Sequence, residues 1–412
     1  MSQQVRIQRL GHRGDGVAET PDGELFIFGA LPGELVEAER TGRDRAQLRA
    51  VLEAGPDRVE AFDPDAPMCG GCGLRHMAVP AQLRWKRELV IENLRGTGIT
   101  AEVEPCVDAH GEGRRRATFH ARVGADRVLR VGFTEPRAHA VVDLAEHDCP
   151  VMSPALKTAV EPVRVLAAIL TELGKPVDAL VTATVSGLEI DLRGPGRLPE
   201  NLRLALTRKA GQLGLARLSL HGDTVIEFKA PVVRFGNVEV AIPPGGFLQA
   251  TSAGEEAMVQ RVVEGLGTAS RTADLFAGSG TFTLRMATRA QVLAVESSRP
   301  SLEALDRAAR HATGLKKVTV EPRDLVRRPM QAADLKGLDA VVFDPPRAGA
   351  EEQARMIAGS AVRRVVAVSC NPGTLARDLA ILTGGGYRVD SVLPIDQFRH
   401  SAHVEAVALL SR

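Results

Sequence analysis

From about residue 250 to residue 412 the chain alternates short apolar runs with helical stretches, and this pattern restricts its fold more than any other feature. The apolar runs are Ala273–Phe276, Val292–Val295, Val318–Val320, Ala340–Phe343, Val365–Val368, Val389–Pro394 and Ala406–Leu410. Helical stretches lie between most of them. Alternation of this kind predicts an open, mainly parallel, doubly wound α/β sheet.

The preceding residues read differently. Residues 1–55 carry short strand-like runs, such as Val5–Ile7, Leu25–Phe28 and Leu35–Ala38, cut by glycine-rich turns. They predict a small β-barrel. Residues 56–248 read as a mixed α+β central domain with a Pro/Asp-rich entry, a helix over about Pro80–Leu94 and strands at Val181–Val185 and Leu188–Leu192. That domain also holds Cys69-Gly-Gly-Cys72 and the basic run Arg114-Arg115-Arg116. Residues 249–412 complete a three-part division, within what a 412-residue length allows.

Composition narrows the class. Hydrophobic residues make up 44% and charged residues 25%, which excludes wholesale disorder, a collagen-like repeat and a disulfide scaffold. The formal charge of +1 does not announce a nucleic-acid binder, although a balanced chain can carry a local basic patch. Only 12 Phe, 1 Trp and 1 Tyr argue against reading many bases by aromatic stacking. The start shows no secretory signal, and no apolar run approaches ~18 residues, so no membrane span is expected. The 5 cysteines suit a reducing cytoplasm and a metal or cluster role.

Chemistry concentrates at the predicted carboxyl edge of the sheet. Asp274-Leu-Phe-Ala-Gly-Ser-Gly-Thr-Phe282 follows one strand and precedes a helix. Its glycines allow a ligand to approach the backbone. Glu296 ends the next strand, where a carboxylate can accept both hydroxyls of a ribose. Asp324 ends the third strand region and is a candidate adenine contact. Asp344-Pro-Pro-Arg347 follows another strand; its prolines stiffen the exit and Arg347 is suited to pair with phosphate or carboxylate. Together these point to a nucleoside cofactor.

Ser369-Cys370-Asn371-Pro372 ends a further strand at the same edge. A thiol there faces the crevice, where cations or a helix N-terminus favour the thiolate nucleophile. Asp396-Gln-Phe-Arg-His-Ser-Ala-His-Val-Glu405 brings two histidines and a carboxylate before the last strand, and Glu405 is a candidate general base.

The Asp274–Phe282 loop, Asp344-Pro-Pro-Arg347, Ser369–Asp378 and His403-Val-Glu405 together resemble the uracil-C5 RNA methyltransferases, and the likeness extends over nearly the whole chain. The resemblance implies S-adenosylmethionine as methyl donor, RNA as partner and 5-methyluridine as product. It implies Cys370 as nucleophile, Glu405 as base, and Gln249, Phe276, Thr281, Glu296, Asp324 and Asp344 as cofactor contacts. The N-terminal module is similar to the RNA-binding TRAM barrel. That module, Arg114–Arg116 and His147-Asp-Cys149-Pro150 resemble the 23S rRNA branch more than the tRNA branch. A cytoplasmic monomer without an obligate protein partner is expected.

The same branch implies a [4Fe–4S] cluster on Cys69, Cys72 and Cys149, but its first cysteine position is Asp63 here. Asp63 or solvent as fourth ligand, a zinc site completed by His76 or His147, and a metal-free relic remain open. Cys106 has no motif partner and reads as a core thiol. Thr281 stands where the branch often has Asn, and Arg399 where Pro usually precedes the His. Rival readings are a tRNA uracil-C5 methyltransferase, an RNA cytosine-C5 methyltransferase, an amino-group methyltransferase, and a non-catalytic RNA-binding factor. The second lacks its usual Cys beside the prolines. The third needs no Cys370.

Overall fold

The computed structural model describes residues 2–59, 69–136 and 140–412. The chain begins with β1 (Ser2–Arg6), β2 (Arg9–Leu10), β3 (Gly16–Thr20), β4 (Gly23–Ile27), β5 (Leu35–Arg40) and β6 (Arg45–Glu53). They form one sheet in the order β1-β5-β6-β4-β3-β2, antiparallel except for β4 beside β6. Alternation turns Leu25 and Ile27 of β4 and Val36 and Ala38 of β5 toward Ile7 and Ala18 in one small apolar core. The expected N-terminal β-rich segment is present.

The middle of the chain contributes α1 (Val79–Gly96), β7 (Val107–Asp108), β8 (Arg116–Val123), β9 (Leu129–Thr134), β10 (Val141–Asp143), α2 (Pro154–Lys157) and α3 (Val160–Leu170). It continues through β11 (Val177–Thr184), β12 (Gly187–Arg193), α4 (Glu200–Gln212), β13 (Arg217–Leu220) and β14 (Asp223–Glu227). A seven-stranded sheet runs β10-β9-β8-β11-β12-β13-β14. Leu166 and Leu170 of α3 and Leu202 and Leu206 of α4 pack with Phe119, Val181 and Ile190 of that sheet. Pro80 falls in the first turn of α1, where its missing N–H costs no helical bond.

A hairpin, β15 (Val232–Phe235) and β16 (Val238–Ala241), leads into α5 (Ser252–Leu266). Then follow β17 (Arg271–Leu275), α6 (Thr283–Met286), β18 (Gln291–Glu296), α7 (Arg299–His311), β19 (Val318–Pro322), β20 (Ala340–Phe343) and α8 (Glu351–Ala358). The chain closes with β21 (Arg364–Ser369), α9 (Pro372–Gly384), β22 (Arg388–Asp396) and β23 (Glu405–Ser411). The resulting eight-stranded sheet has the order β19-β18-β17-β20-β21-β23-β22-β7. Strands β19 to β21 are parallel, and β23 runs antiparallel to both neighbours. Every residue of β20 is buried, as expected for a parallel strand covered on both faces.

The strand order reverses between β17 and β20, so the crevice of this doubly wound sheet opens at their carboxyl ends. Two earlier elements join the sheet. Strand β7 adds the last edge by pairing in parallel with Ile395 and Asp396, and Val90 and Leu94 of α1 pack in one core with Leu375 and Leu379 of α9.

Candidate active site

The strand ends place the sequence-derived residues on one rim. Phe276 follows β17 with φ of 63°, the left-handed conformation that a bulky side chain seldom adopts. It starts the tight turn through Gly278 and Gly280. A Cβ on Gly280 would lie 2.4 Å from Leu305 Cδ1, so this position admits only glycine without displacement of α7. Gly278 N–H donates to Glu296 Oε2 over 3.1 Å, and Ser298 N–H donates to Glu296 Oε1 over 2.8 Å. Glu296 is thereby held at the end of β18, beside the glycine turn.

Beneath the turn, Asp274 is fully buried and accepts from Thr283 Oγ1. Burial pushes its carboxyl up to about 7. Asp274 Oδ1 and Ser279 Oγ are buried without a hydrogen-bond partner among the described residues. Unsatisfied polar atoms beside a glycine cradle and a fixed carboxylate fit a polar, nucleoside-sized ligand. Thr281 lies in the same turn, just before α6. Asp324 ends the β19 region as expected, and its Oδ1 accepts the N–H groups of Val326 and Arg327.

Across the reversal point, Asp344 follows β20. Gln249 Nε2 donates to Asp344 Oδ2 over 3.2 Å. Burial, then the nearby Glu405, pushes the Asp344 carboxyl up to about 8. Glu405, at the start of β23, is only 4% exposed, and burial pushes it up to about 7. Gln397 joins the two halves: its Nε2 donates to Gln249 Oε1 over 2.9 Å and to Glu405 Oε1 over 3.1 Å.

Cys370 follows β21 and immediately precedes Asn371, the N-cap of α9. Asn371 and Thr374 also hydrogen-bond to the Arg347 carbonyl, which fastens the Asp344–Arg347 loop to the cysteine loop. Burial, then Glu405 and Asp344, pushes the Cys370 thiol up to about 11 against the pull of Arg347. The expected net lowering by cations is therefore absent, because desolvation and two carboxyls outweigh one guanidinium. Cys370 opens onto a cleft of about 870 Å³ whose walls include His12 and Arg13 from the N-terminal sheet, Thr134 from the central sheet, and Arg347 and His403.

Helix α1 supports this rim from outside the sheet. Lys86 Nζ donates to Asp396 Oδ1 over 2.6 Å, and Gln82 Oε1 accepts the His400 N–H over 2.9 Å. Arg399 pairs with Asp108 over 2.5 Å, tying the loop at the position where the resemblance expects proline to β7.

A family profile described as tRNA (Uracil-5-)-methyltransferase matches residues 233–412. An RNA methyltransferase of Brucella suis is 48% identical over 409 residues, covering 99% of this chain and 98% of that one. The 23S rRNA (uracil(1939)-C(5))-methyltransferase of Halomonas elongata is 34% identical, covering 98% of this chain and 88% of its own length. This chain belongs to the uracil-C5 RNA methyltransferases. Its fold is shared with the Pyrococcus abyssi tRNA (uracil-54, C5)-methyltransferase, at a TM-score of 0.75, 23% identity and 99% coverage of both chains.

Two sequence features of this RNA methyltransferase acquire different settings. The Arg114–Arg116 run is turned inward rather than displayed. Arg114 lies 5.4 Å from the Phe398 ring centroid, Arg115 pairs with Glu255, and Arg116 donates to the Gly245 carbonyl over 2.9 Å. Cys72 and Cys149 lie in the apolar core beside the seven-stranded sheet, with Cys69 packed partly buried against it, close enough for Arg114 to feel all three. Among the described residues, no group of three or more His, Cys, Asp and Glu side chains is arranged to hold a metal ion. The Asp63 position lies outside the described residues. No catalytic step is routed through a metal. Cys106 packs partly buried beside the catalytic core, where burial pushes its thiol up to about 12.

Sequence reading assigned no role to Gln397, Thr251, Lys86 or Asp274. Gln397 lay inside a quoted stretch and Asp274 inside the glycine-loop motif. Thr251 and Lys86 act through contacts with residues more than a hundred positions away. Among the described residues, no helix is long and apolar enough to cross a membrane.

Proposed function

We propose that this enzyme methylates C5 of a uracil in RNA through a covalent bond between Cys370 Sγ and C6 of the base. The carrying observation is the convergence of Cys370, Asp344 and Glu405 at adjacent strand ends, with Gln249 and Gln397 linking the two carboxyls. S-adenosylmethionine, when bound, supplies an electrophilic methyl group. Gln249, Phe276, Thr281, Glu296, Asp324 and Asp344 are the residues proposed to hold it, with Glu296 placed for a ribose diol.

C5 of uracil is a weak nucleophile. Addition of the Cys370 thiolate at C6 moves the C5=C6 electron pair toward the C4 carbonyl oxygen. The enolate formed then directs electron density to C5, which would take the methyl group as its bond to the donor's sulfonium sulfur breaks and S-adenosylhomocysteine leaves. Glu405 removes the C5 proton, that C–H pair re-forms C5=C6, and the C6–S bond breaks to return the thiolate. Covalent catalysis divides one difficult substitution into easier steps. The burial that raises Glu405 toward neutrality suits a base working near pH 7. The target base leaves its stack to reach the cleft.

We propose 23S rRNA as the substrate class, supported by the 34% relative from Halomonas elongata. Residues 1–55 act in this reading as a TRAM-like RNA-binding module, with residues 56–248 as the central and 249–412 as the catalytic domain. The protein works as a cytoplasmic monomer. The iron–sulfur assignment stays a proposal on Cys69, Cys72 and Cys149, with Asp63 or solvent as the fourth ligand. Its support is the gathering of three sulfurs in one core beside Arg114. Anaerobic purification without iron and sulfide overturns it.

The function is tested with 5-fluorouridine-substituted 23S rRNA and tRNA plus S-adenosylmethionine. Fluorine at C5 cannot leave as a proton, so a protein–RNA adduct persists on denaturing gels. An adduct with 23S rRNA that vanishes in Cys370→Ser supports chemistry and substrate together. An adduct with tRNA alone moves the substrate to the class named by the matching family profile. No adduct with either, despite cofactor binding, overturns the mechanism.

A further inference from the structure

The link between the two carboxyls runs through Gln249 and Gln397, and the orientation of the Gln397 amide is fixed. The Gln397 amide has one oxygen and two N–H groups. Its Oε1 accepts the Thr251 N–H over 3.3 Å. Its Nε2 therefore faces the other way, and donates to Gln249 Oε1 and Glu405 Oε1. The chain continues from Gln249 Nε2 to Asp344 Oδ2. Gln397 is 1% exposed and Gln249 3%, so water does not readily replace these partners.

Thr251 is itself anchored. Its Oγ1 donates to the Ala109 carbonyl over 2.6 Å and accepts from Gly254 N–H over 2.9 Å as the cap of α5. A Cβ on Gly254 would lie 2.7 Å from both Gln397 Cβ and Gln397 Oε1. The start of α5 thus forms a close wall against the amide, and both ends of the side chain are held.

We infer that Gln397 is a positioning residue for methyl transfer: it holds Glu405 through Oε1, leaves Oε2 to take the C5 proton, and couples that base to the Gln249–Asp344 side of the pocket. This rests on the reading of Glu405 as the base. Among the described residues, Oε1 is the Glu405 oxygen that holds a hydrogen bond. Titratable groups facing Glu405 are Asp344 from the end of β20 and Cys370 from the end of β21. Neither donates a hydrogen bond to it, so Gln397 is the donor that favours its ionised form.

The test follows adduct resolution on ordinary uridine-containing RNA, from pH 6 to 9, in wild type, Gln397→Leu, Gln397→Glu and Glu405→Gln. Gln397→Glu preserves volume and the acceptor for Thr251 N–H but, when ionised, has no N–H to donate to Gln249 or Glu405, so it serves if the leucine variant folds poorly. Both Gln397 variants are expected to accumulate a covalent adduct at pH 7 that clears at pH 9. The rising limb of resolution rate against pH should move up by about one unit, giving roughly a tenfold loss at pH 7 and less at pH 9.

Glu405→Gln is expected to hold the adduct at every pH. If Glu405→Gln traps the adduct while both Gln397 variants resolve it with the wild-type profile, the positioning role is overturned and the base stands. An equal loss at all pH values in both Gln397 variants also overturns it, since that marks structural damage alone. If Glu405→Gln resolves the adduct like wild type, the base reading falls and the positioning role falls with it.

Discussion

Lys86 and Asp396, 310 positions apart, form an ion pair of 2.6 Å in which neither side chain reaches solvent. Lys86 also donates to the Phe398 carbonyl over 3.0 Å, and Asp396 Oδ1 accepts the Phe398 N–H over 2.8 Å. The pair pins the beginning of the loop that ends at Glu405 to a helix far upstream.

Breaking this pair by removing one partner leaves the other charge buried. Lys86→Met is expected to lose about 3–5 kcal/mol in urea unfolding, because Asp396 then has no cation. Combining it with Asp396→Leu should recover part of that loss, since no buried charge is left unpaired while the Phe398 N–H and carbonyl still lose their partners. A single-variant loss below about 1 kcal/mol would show that the pair is not buried in solution.

Cys370→Ala removes the sulfur that adds to C6 but leaves the glycine turn and Glu296 untouched. Methylation is expected to fall by at least about a thousandfold, with the affinity for S-adenosylmethionine changed by less than about threefold. Radiolabel transfer and equilibrium dialysis give the two readings. An alanine variant retaining a tenth of wild-type turnover removes Cys370 from the nucleophile role.

Much of this site could be read from the chain because its residues sit at strand ends. An apolar run followed by a polar, Gly- or Pro-containing turn marks a carboxyl edge, which makes Glu296, Asp344 and Cys370 legible in the sequence, whereas the role of Phe276 rests on the family resemblance. The charge run Arg114–Arg116 was less legible. Side-chain direction depends on what packs opposite, and Glu255 and Phe398 are remote in sequence. The same limit hid Gln397: a glutamine in a polar loop looks solvated until Thr251 and Gln249 fix its two ends. Nor does any local pattern announce that Val107 and Asp108 pair with Ile395 and Asp396.

The buried carboxyls make stability depend on pH with a definite sign. Glu405 at about 7 and Asp344 at about 8 hold protons in the folded state that the unfolded chain releases near pH 4. Between these values the folded state binds more protons, so stability falls as pH rises. Glu405→Gln and Asp344→Asn remove their own share of that dependence, while Asp274, also raised to about 7, keeps its share. Their melting temperatures, without ligand, should match wild type near pH 4 and exceed it progressively up to about pH 7 for Glu405→Gln and about pH 8 for Asp344→Asn. Differences that stay constant with pH would place both carboxyls at ordinary values.

The inward setting of Arg115 separates it from a phosphate-binding arginine. Its guanidinium pairs with buried Glu255 and donates to the Gln249 carbonyl over 3.2 Å. Arg115→Gln is therefore expected to lower stability by about 3–5 kcal/mol, through the uncompensated Glu255, and to weaken methyl-donor binding by loosening Gln249. Its slope of log affinity for RNA against log salt should equal that of wild type, because no phosphate contact is lost. Arg13 is exposed on the wall of the Cys370 cleft. Arg13→Gln should leave stability within about 0.5 kcal/mol and reduce the salt slope by about one, as expected for one lost phosphate contact. Filter binding across a salt series reads both slopes. A reduced slope for Arg115→Gln, with an unchanged one for Arg13→Gln, would move the RNA path away from the cleft and onto the central sheet.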